Sequence, residues 1–330
     1  MTTTPGIDRP LLLGTRRSEL ATTQSGHVAD MLRARGLEVE LVLVTTEGDT
    51  NRAPLSRIGG TGVFVSALRD ALLDGSIDLA VHSLKDLPVE QPAGLVVAAT
   101  PSREDSRDVL VARDGLTLES LPAGARVGTG SPRREAQLRA TRPDLDVREL
   151  RGNVPTRIAT VADGELDAVV LAGAGIRRLG LTDAVTQWLE PTDMVCAPGQ
   201  GALAVECRAD DAAVRAHLEP LDDPDTRAAV TAERAVLGAL EAGCSAPVGA
   251  FATVADGELA LRTFAGPREG GETFREEVTA SLADAPDPLS AAEALGRRTG
   301  TALRTRGADA LPGVGEVPQP ADRQSSKETE

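Results

Sequence analysis

Residues 74–83 read DGSIDLAVHS, and residues 163–172 read DGELDAVVLA. Each begins with an Asp-Gly pair and runs into a short, mostly apolar stretch, which predicts a buried strand entered from a turn. A second echo lies upstream of each. Gly14-Thr15 and Gly128-Thr129 both close an apolar run just before a helix start that bears arginine. Chance supplies one short match easily. Two matches in the same order predict a repeated α/β unit, with two similar lobes facing a shared cleft.

Working outward, the first unit reads as a strand at 11–15, a helix from a Ser18 cap to about Arg35, and a strand at 37–46. A glycine-rich loop around Gly59, Gly60 and Gly62 follows, then a helix at 64–73 and a strand at 78–83. The second unit reads as strand 126–129, helix 133–141, strand 145–150, helix 154–162 and strand 167–171. ALAVEC at 202–207 predicts a further strand that returns the chain to the first unit. Past Pro224 the grammar changes to a helix at 225–241, strand-like runs near 247–254, 258–265 and 272–279, and a helix at 287–306. That is an α+β unit. From Leu311 onward Pro, Gly and charge dominate and predict a disordered tail.

The chain has 330 residues, enough for two or three domains, with 35 basic against 50 acidic residues and a net charge of −15. That balance excludes a general nucleic-acid binder, which needs a basic surface. Four Phe, one Trp and no Tyr argue against base stacking. No apolar run approaches the ~20 residues of a membrane span, and Met1–Pro10 lacks the pattern of a secretory signal. Cys196, Cys207 and Cys244 are too few and odd in number for a disulfide framework. No cluster has metal-ligand spacing, so no metal is expected and His82 reads as a structural histidine. A soluble cytoplasmic protein without membrane or nucleic-acid partners is the expectation.

Within this acidic chain, residues 126–157 hold eight arginines against four acids. Arg133 and Arg134 open a helix after GTGSP, Arg151 and Arg157 flank GNVPT, and Arg16 and Ser18 stand at the first helix start. Three helix starts with Arg forks suit a ligand carrying many carboxylates or phosphates; each Arg alone fits a solvated surface group equally well. VHSLKDLPVE at 81–90 puts a polar His-Ser-x-Lys-Asp run where ligands sit in open α/β sheets. Lys85 and Lys327 are the chain's two lysines. Asp86 reads either as an ion-pair partner of Lys85 or as a general acid/base and cation stabiliser, with Lys85 holding a substrate anion. Cys244, in the small-residue loop EAGCSAPVG, is either an inert thiol or one accessible enough to carry a covalent group.

GTRRSELATTQ (14–24), VHSLKDLPVE (81–90), GTGSPRREAQL (128–138), LRGNVPTR (150–157), PGQGALAVECR (198–208) and EAGCSAPVG (241–249) occur in one order. Over about residues 11–306 this resembles the hydroxymethylbilane synthase, or porphobilinogen deaminase, family. The resemblance implies two α/β lobes like those of type II periplasmic binding proteins and a C-terminal α+β domain. Residues 1–100 and 197–222 would form the first lobe, 101–196 the second, 223–310 the third domain and 311–330 a disordered tail. It implies a monomeric transferase of tetrapyrrole (porphyrin, heme) biosynthesis. Such an enzyme joins four porphobilinogen molecules on a covalent dipyrromethane cofactor, releases ammonia, and hydrolyses the product to linear hydroxymethylbilane.

By position, Cys244 matches the thioether attachment residue and Asp86 the catalytic carboxylate. Ser83, Lys85, Thr129, Ser131, Arg133 and Arg134 match residues that hold the cofactor, and Arg16, Ser18, Arg151, Arg157 and Arg178 match residues that hold substrate. Glu19 replaces a common proline, and Arg57 and Thr61 stand where bacterial relatives often carry lysine; Phe64 matches a family aromatic. The rival is a two-lobed anion-binding protein without catalysis. It explains the repeat and the arginines but leaves Cys244, the Lys85-Asp86 pair and the third domain idle.

Overall fold

The computed structural model describes residues 7–45, 62–243 and 245–315. Arg57, Thr61, Cys244 and the segment 316–330 lie outside the described residues, as does the side chain of Phe64.

Strands are numbered in chain order. The first sheet contains β1 (Leu11–Thr15), β2 (Val39–Leu43), β3 (Leu79–Ser83), β4 (Leu95–Ala99) and β10 (Leu203–Arg208), in the order β2-β1-β3-β10-β4. The second contains β5 (Asp108–Ala112), β6 (Arg126–Thr129), β7 (Asp146–Glu149), β8 (Ala168–Ala172) and β9 (Gln187–Leu189), in the order β7-β6-β8-β5-β9. The two orders superimpose. In each, three parallel strands are followed by an antiparallel one, β10 or β5. The chain leaves the first sheet through 100–107 and returns through 190–202, so two segments cross between the lobes.

The sequence echo consists of residues that touch. Asp78 Oδ2 accepts the Leu12 N–H at 2.9 Å, and Asp167 Oδ2 accepts the Arg126 N–H at 2.8 Å. Each aspartate also donates its own N–H back to the same residue's carbonyl, closing a clamp across two parallel strands. The two glycines are explained by close approach. A Cβ at Gly14 would stand 2.3 Å from Ile77 Cδ1, and one at Gly128 would stand 2.5 Å from Leu166 Cδ1. Ile77 and Leu166 occupy the same place in the two copies, so each glycine makes room for its partner in a close-packed interior.

The helices are α1 (Glu19–Arg33), α2 (Gly62–Leu73), α3 (Pro132–Thr141), α4 (Val154–Ala162), α5 (Gly173–Arg178), α6 (Ala212–Leu218), α7 (Pro224–Ala239) and α8 (Pro288–Thr305). Ser18, Ser131 and Asn153 cap α1, α3 and α4, accepting N–H bonds from Ala21, Arg134 and Thr156. Such caps satisfy donors that a helix start leaves open.

In the third unit, β11 (Val248–Ala255), β12 (Glu258–Ala265) and β13 (Phe274–Ser281) form an antiparallel meander. It shares a core with α7 and α8 through Val236, Leu259, Leu261 and Leu303. Leu311 and Val314 are buried in that same core, and the Gly315 N–H donates to Leu240 O at 3.1 Å. The expected tail from Leu311 is therefore corrected for residues 311–315. Two apolar side chains in a Pro/Gly-rich stretch suffice to pin it down. Among the described residues no helix is long and apolar enough to cross a membrane.

Candidate functional site

The site is built from strand ends and the helix starts beside them. Beyond β3 the chain enters a one-turn 3₁₀ helix, Leu84–Asp86. Leu84 and Leu87 are buried, and the Leu84 N–H donates to Ala202 O at 3.0 Å. Arg234, from α7, donates to the carbonyls of Leu84, Leu87 and Pro88 at 3.3, 3.0 and 2.6 Å. This clamp fixes the turn, leaving Asp86 exposed and Lys85 half-buried. Ser83 accepts a hydrogen bond from Gln24 Nε2 of α1 at 2.9 Å. His82, buried, places Nε2 3.2 Å from Glu206 Oε2, a carboxylate that Arg69 also grips.

In the second lobe, Thr129 is buried at the end of β6, and its Oγ1 accepts the Ser131 N–H at 3.2 Å. Arg133 and Arg134 are both buried and converge on Asp108. Arg133 Nη1 donates to Asp108 Oδ2 at 2.8 Å and to Val195 O at 2.5 Å. Arg134 donates to Asp108 Oδ1 through Nε and Nη2, at 3.1 and 2.8 Å, and to Val170 O through Nη1 at 3.1 Å. Burial pushes the Asp108 carboxyl up, yet the two guanidiniums hold it far below the usual carboxylate range. Both forks are thus largely committed to protein. Asp108→Ala would leave two buried guanidiniums without their counter-charge, an expected loss of about 3–5 kcal/mol. Arg133→Leu still leaves Arg134 paired with Asp108 and is expected to destabilise less. Urea unfolding of the two variants checks the order.

Around this anchor the cations crowd. Burial pushes the Lys85 ammonium down to about 8; Asp86 and Asp108 oppose this, while Arg134 and Arg133 add to it. The Arg157 guanidinium is lowered by burial, then by Arg134 and Arg151. Its Nε donates to Gly152 O at 2.7 Å. Arg151 is exposed and pairs with Glu149 at 2.7 Å. Arg178, lowered by burial, donates to Gly201 O at 2.7 Å. Arg16 is half-buried and Ser18 exposed beside the end of β1. The lobes meet here: a Cβ at Gly175 in α5 would lie 3.8 Å from both Leu20 of α1 and Val154 of α4. The starts of α1 and α4 therefore flank one point, with Arg178 on the helix between them. Cations that disfavour one another's charge yet stay partly open are the complement of a polyanion.

The remaining cysteines separate cleanly. Cys196 and Cys207 are buried, and burial pushes both thiols up to about 12. Neither is a reactive thiolate at neutral pH.

The sequence model described as "Porphobilinogen deaminase, dipyromethane cofactor binding domain" matches residues 11–216. Its companion, "Porphobilinogen deaminase, C-terminal domain", matches residues 227–305. A porphobilinogen deaminase of Thermobifida fusca is 55% identical over 305 residues, covering 92% of this chain and 95% of that protein. The chain belongs to the porphobilinogen deaminase family. Porphobilinogen deaminase 1 of Streptomyces coelicolor is likewise 55% identical over 316 residues, covering 93% of this chain and 98% of that protein. Among solved structures, a YaeC-family lipoprotein of Enterococcus faecalis aligns with a TM-score of 0.40 at 14% identity, covering 66% of this chain and 93% of that chain. A nutrient-binding protein of Burkholderia cenocepacia bound to methionine gives 0.41 at 16%, with the same 66% and 93% coverage.

The notable additions to the residues read from sequence are Asp108, Gln24, Gln200 and Arg234. Asp108 closes the mixed-charge run Arg103-Glu104-Asp105-Ser106-Arg107-Asp108, in which nothing sets it apart from its neighbours, Gln24 and Gln200 are neutral, and Arg234 stands beside Glu233. Gln24 closes the motif at 14–24 and Gln200 is the third residue of the motif at 198–208, which was the signal available for them.

Proposed function

We propose that the chain catalyses the hydroxymethylbilane synthase reaction, adding four porphobilinogen units and releasing ammonia before hydrolysing the linear product. The observation that supports it best is one exposed carboxylate, Asp86, fixed beside a mutually repelling group of cations. Each pyrrole carries two carboxylates, so a growing chain is a polyanion that needs many cations. The positive charge that develops on a substrate losing ammonia needs one anion among them. A two-lobed binding protein uses the first feature but not the second.

In this reading Arg16, Arg151, Arg157 and Arg178 hold substrate carboxylates, with Ser18 adding its hydroxyl at the α1 start. Lys85, Ser83, Thr129 and Ser131 line the cofactor side, and Arg133 and Arg134 supply positive potential there while staying bonded to Asp108. Cys244 anchors the cofactor by a thioether; the inert state of the other two thiols supports that choice. The dipyrromethane supplies, when bound, the ring that accepts the first pyrrole. Asp86 stabilises the substrate cation, delivers a proton to the departing amine and then removes one from the attacked ring. We place the enzyme in the cytoplasm as a monomer, with porphobilinogen as its small-molecule partner.

The test is turnover of porphobilinogen by the purified chain across pH. Ammonia release with a linear tetrapyrrole product is expected, and its absence would refute the reading. Below about 8 Lys85 is an ammonium that holds a carboxylate, and above it that charge is lost. Hence kcat/KM, which reports the free enzyme, is expected to fall as pH rises through about 8, and Lys85→Met to remove that limb. The fall is not unfolding driven by this group. Its folded value lies below the ordinary 10.5, so between the two the unfolded chain binds more protons and this lysine's contribution to stability rises with pH.

A further inference from the structure

Gln200 sits in the 190–202 crossing segment and is completely buried. Its Nε2 donates to Ser106 O at 2.7 Å and to Asp108 Oδ1 at 2.8 Å, which uses both amide hydrogens. Reversing the amide would set its oxygen against a carbonyl and a carboxylate, so the direction follows from chemistry. Oε1 is thereby aimed at Lys85 Nζ, 3.4 Å away. The backbone is fixed as well: the Gln200 N–H donates to Ala197 O at 2.9 Å, and Arg103 Nε donates to Gln200 O at 2.8 Å. Arg103 is in turn held by Glu233 of α7 at 2.7 Å, and Glu233 also accepts the Gly199 N–H at 2.6 Å. One side chain thus joins Lys85 of the first lobe, Asp108 of the second and both crossing segments.

We infer that Gln200 is a positioning residue, holding the Lys85 ammonium at the site and tying its place to the two segments that cross between the lobes. The inference rests on reading Lys85 as a group that faces the bound anions. The charged groups acting on Lys85 are of both signs. Asp86 and Asp108 favour its ammonium form, and Arg134 and Arg133 oppose it. Between these sets Gln200 contributes a fixed neutral acceptor, and a hydrogen bond to the charged form favours that form. Taking the oxygen away while keeping the bulk therefore makes Lys85 lose its proton at lower pH.

The scarcity of lysine makes the experiment direct, since Lys85 shares the chain only with Lys327. Reductive ¹³C-dimethylation of the purified full chain gives two lysine signals, assigned with Lys327→Arg and followed by NMR across pH. In Gln200→Met the Lys85 midpoint is expected to move down by about one pH unit, the scale of one hydrogen bond to a charged group. The alkaline limb of kcat/KM is expected to move with it. A folded variant whose Lys85 midpoint matches that of the parent chain overturns the inference, even if stability or turnover has dropped. Should Gln200→Met not fold, Gln200→Asn keeps the amide but withdraws its oxygen from Lys85; the same downward shift is expected, and an unmoved midpoint again overturns it. Lys85→Met with unchanged KM would sink the role given to Lys85 while leaving the titration result intact, so the two failures are distinguishable.

Discussion

Asp86→Asn is expected to fold normally, to carry the cofactor, and to turn over porphobilinogen about 10²–10⁴ times more slowly, the usual worth of general acid–base help. Loss of cation stabilisation should deepen that deficit. The substitution keeps the shape and a polar side chain while it removes the charge and the exchangeable carboxyl proton. Asp86 is exposed on a turn held by the buried Leu84 and Leu87 and by three carbonyl contacts from Arg234. None of those anchors is the Asp86 side chain, so the fold has little stake in it. Were Asp86 only the ion-pair partner of Lys85, the outcome would reverse: a small loss of stability with turnover near normal. Circular dichroism, intact mass and a porphobilinogen-consumption assay on one preparation separate the two.

Cys244→Ser is expected to abolish turnover altogether, because a serine hydroxyl forms no thioether and nothing then anchors the cofactor. The other two thiols offer no substitute, since both are buried and pushed up to about 12. The chain should still fold. Ala242 and Ala246 on either side are buried in the third core, and the Ala246 N–H donates to Gly243 O at 3.0 Å. Addition of porphobilinogen should not restore activity, whereas a cofactor-free preparation of the parent chain regains it if the thiol is intact. Residual turnover by Cys244→Ser would remove the thioether from the account.

The repeat was legible because its signals are local and paired. Gly14 with Ile77 and Gly128 with Leu166 are packing partners, and Asp78 and Asp167 clamp equivalent strands, so the same physical need wrote the same residues twice. β10 was legible from its apolar run. Not foreseen were β4, β5, β9, α5 and α6. β4 and β5 are five residues long, no shorter than β1 and β3, but they lie outside the repeated segments that guided the reading, and β4 is completed by β10, more than a hundred residues away.

The site divides in the same way. Arg16, Arg151 and Arg157 stood out as charge in an acidic chain, and Lys85-Asp86 as a polar break after an apolar strand. Asp108 and Gln200, 92 positions apart, carry no such contrast: Asp108 is one of five charged residues at 103–108 and Gln200 is a lone neutral amide, and the partners of both appear only when the lobes are assembled. The commitment of Arg133 and Arg134 to Asp108 was hidden for that reason.

The covalent attachment is tested most directly by the mass of the chain as purified, followed by peptide mapping. One dipyrrole per chain is predicted, located on the peptide that contains Cys244, with Cys196 and Cys207 unmodified. A bare chain that nonetheless converts porphobilinogen, or an adduct on either of the other cysteines, would contradict it.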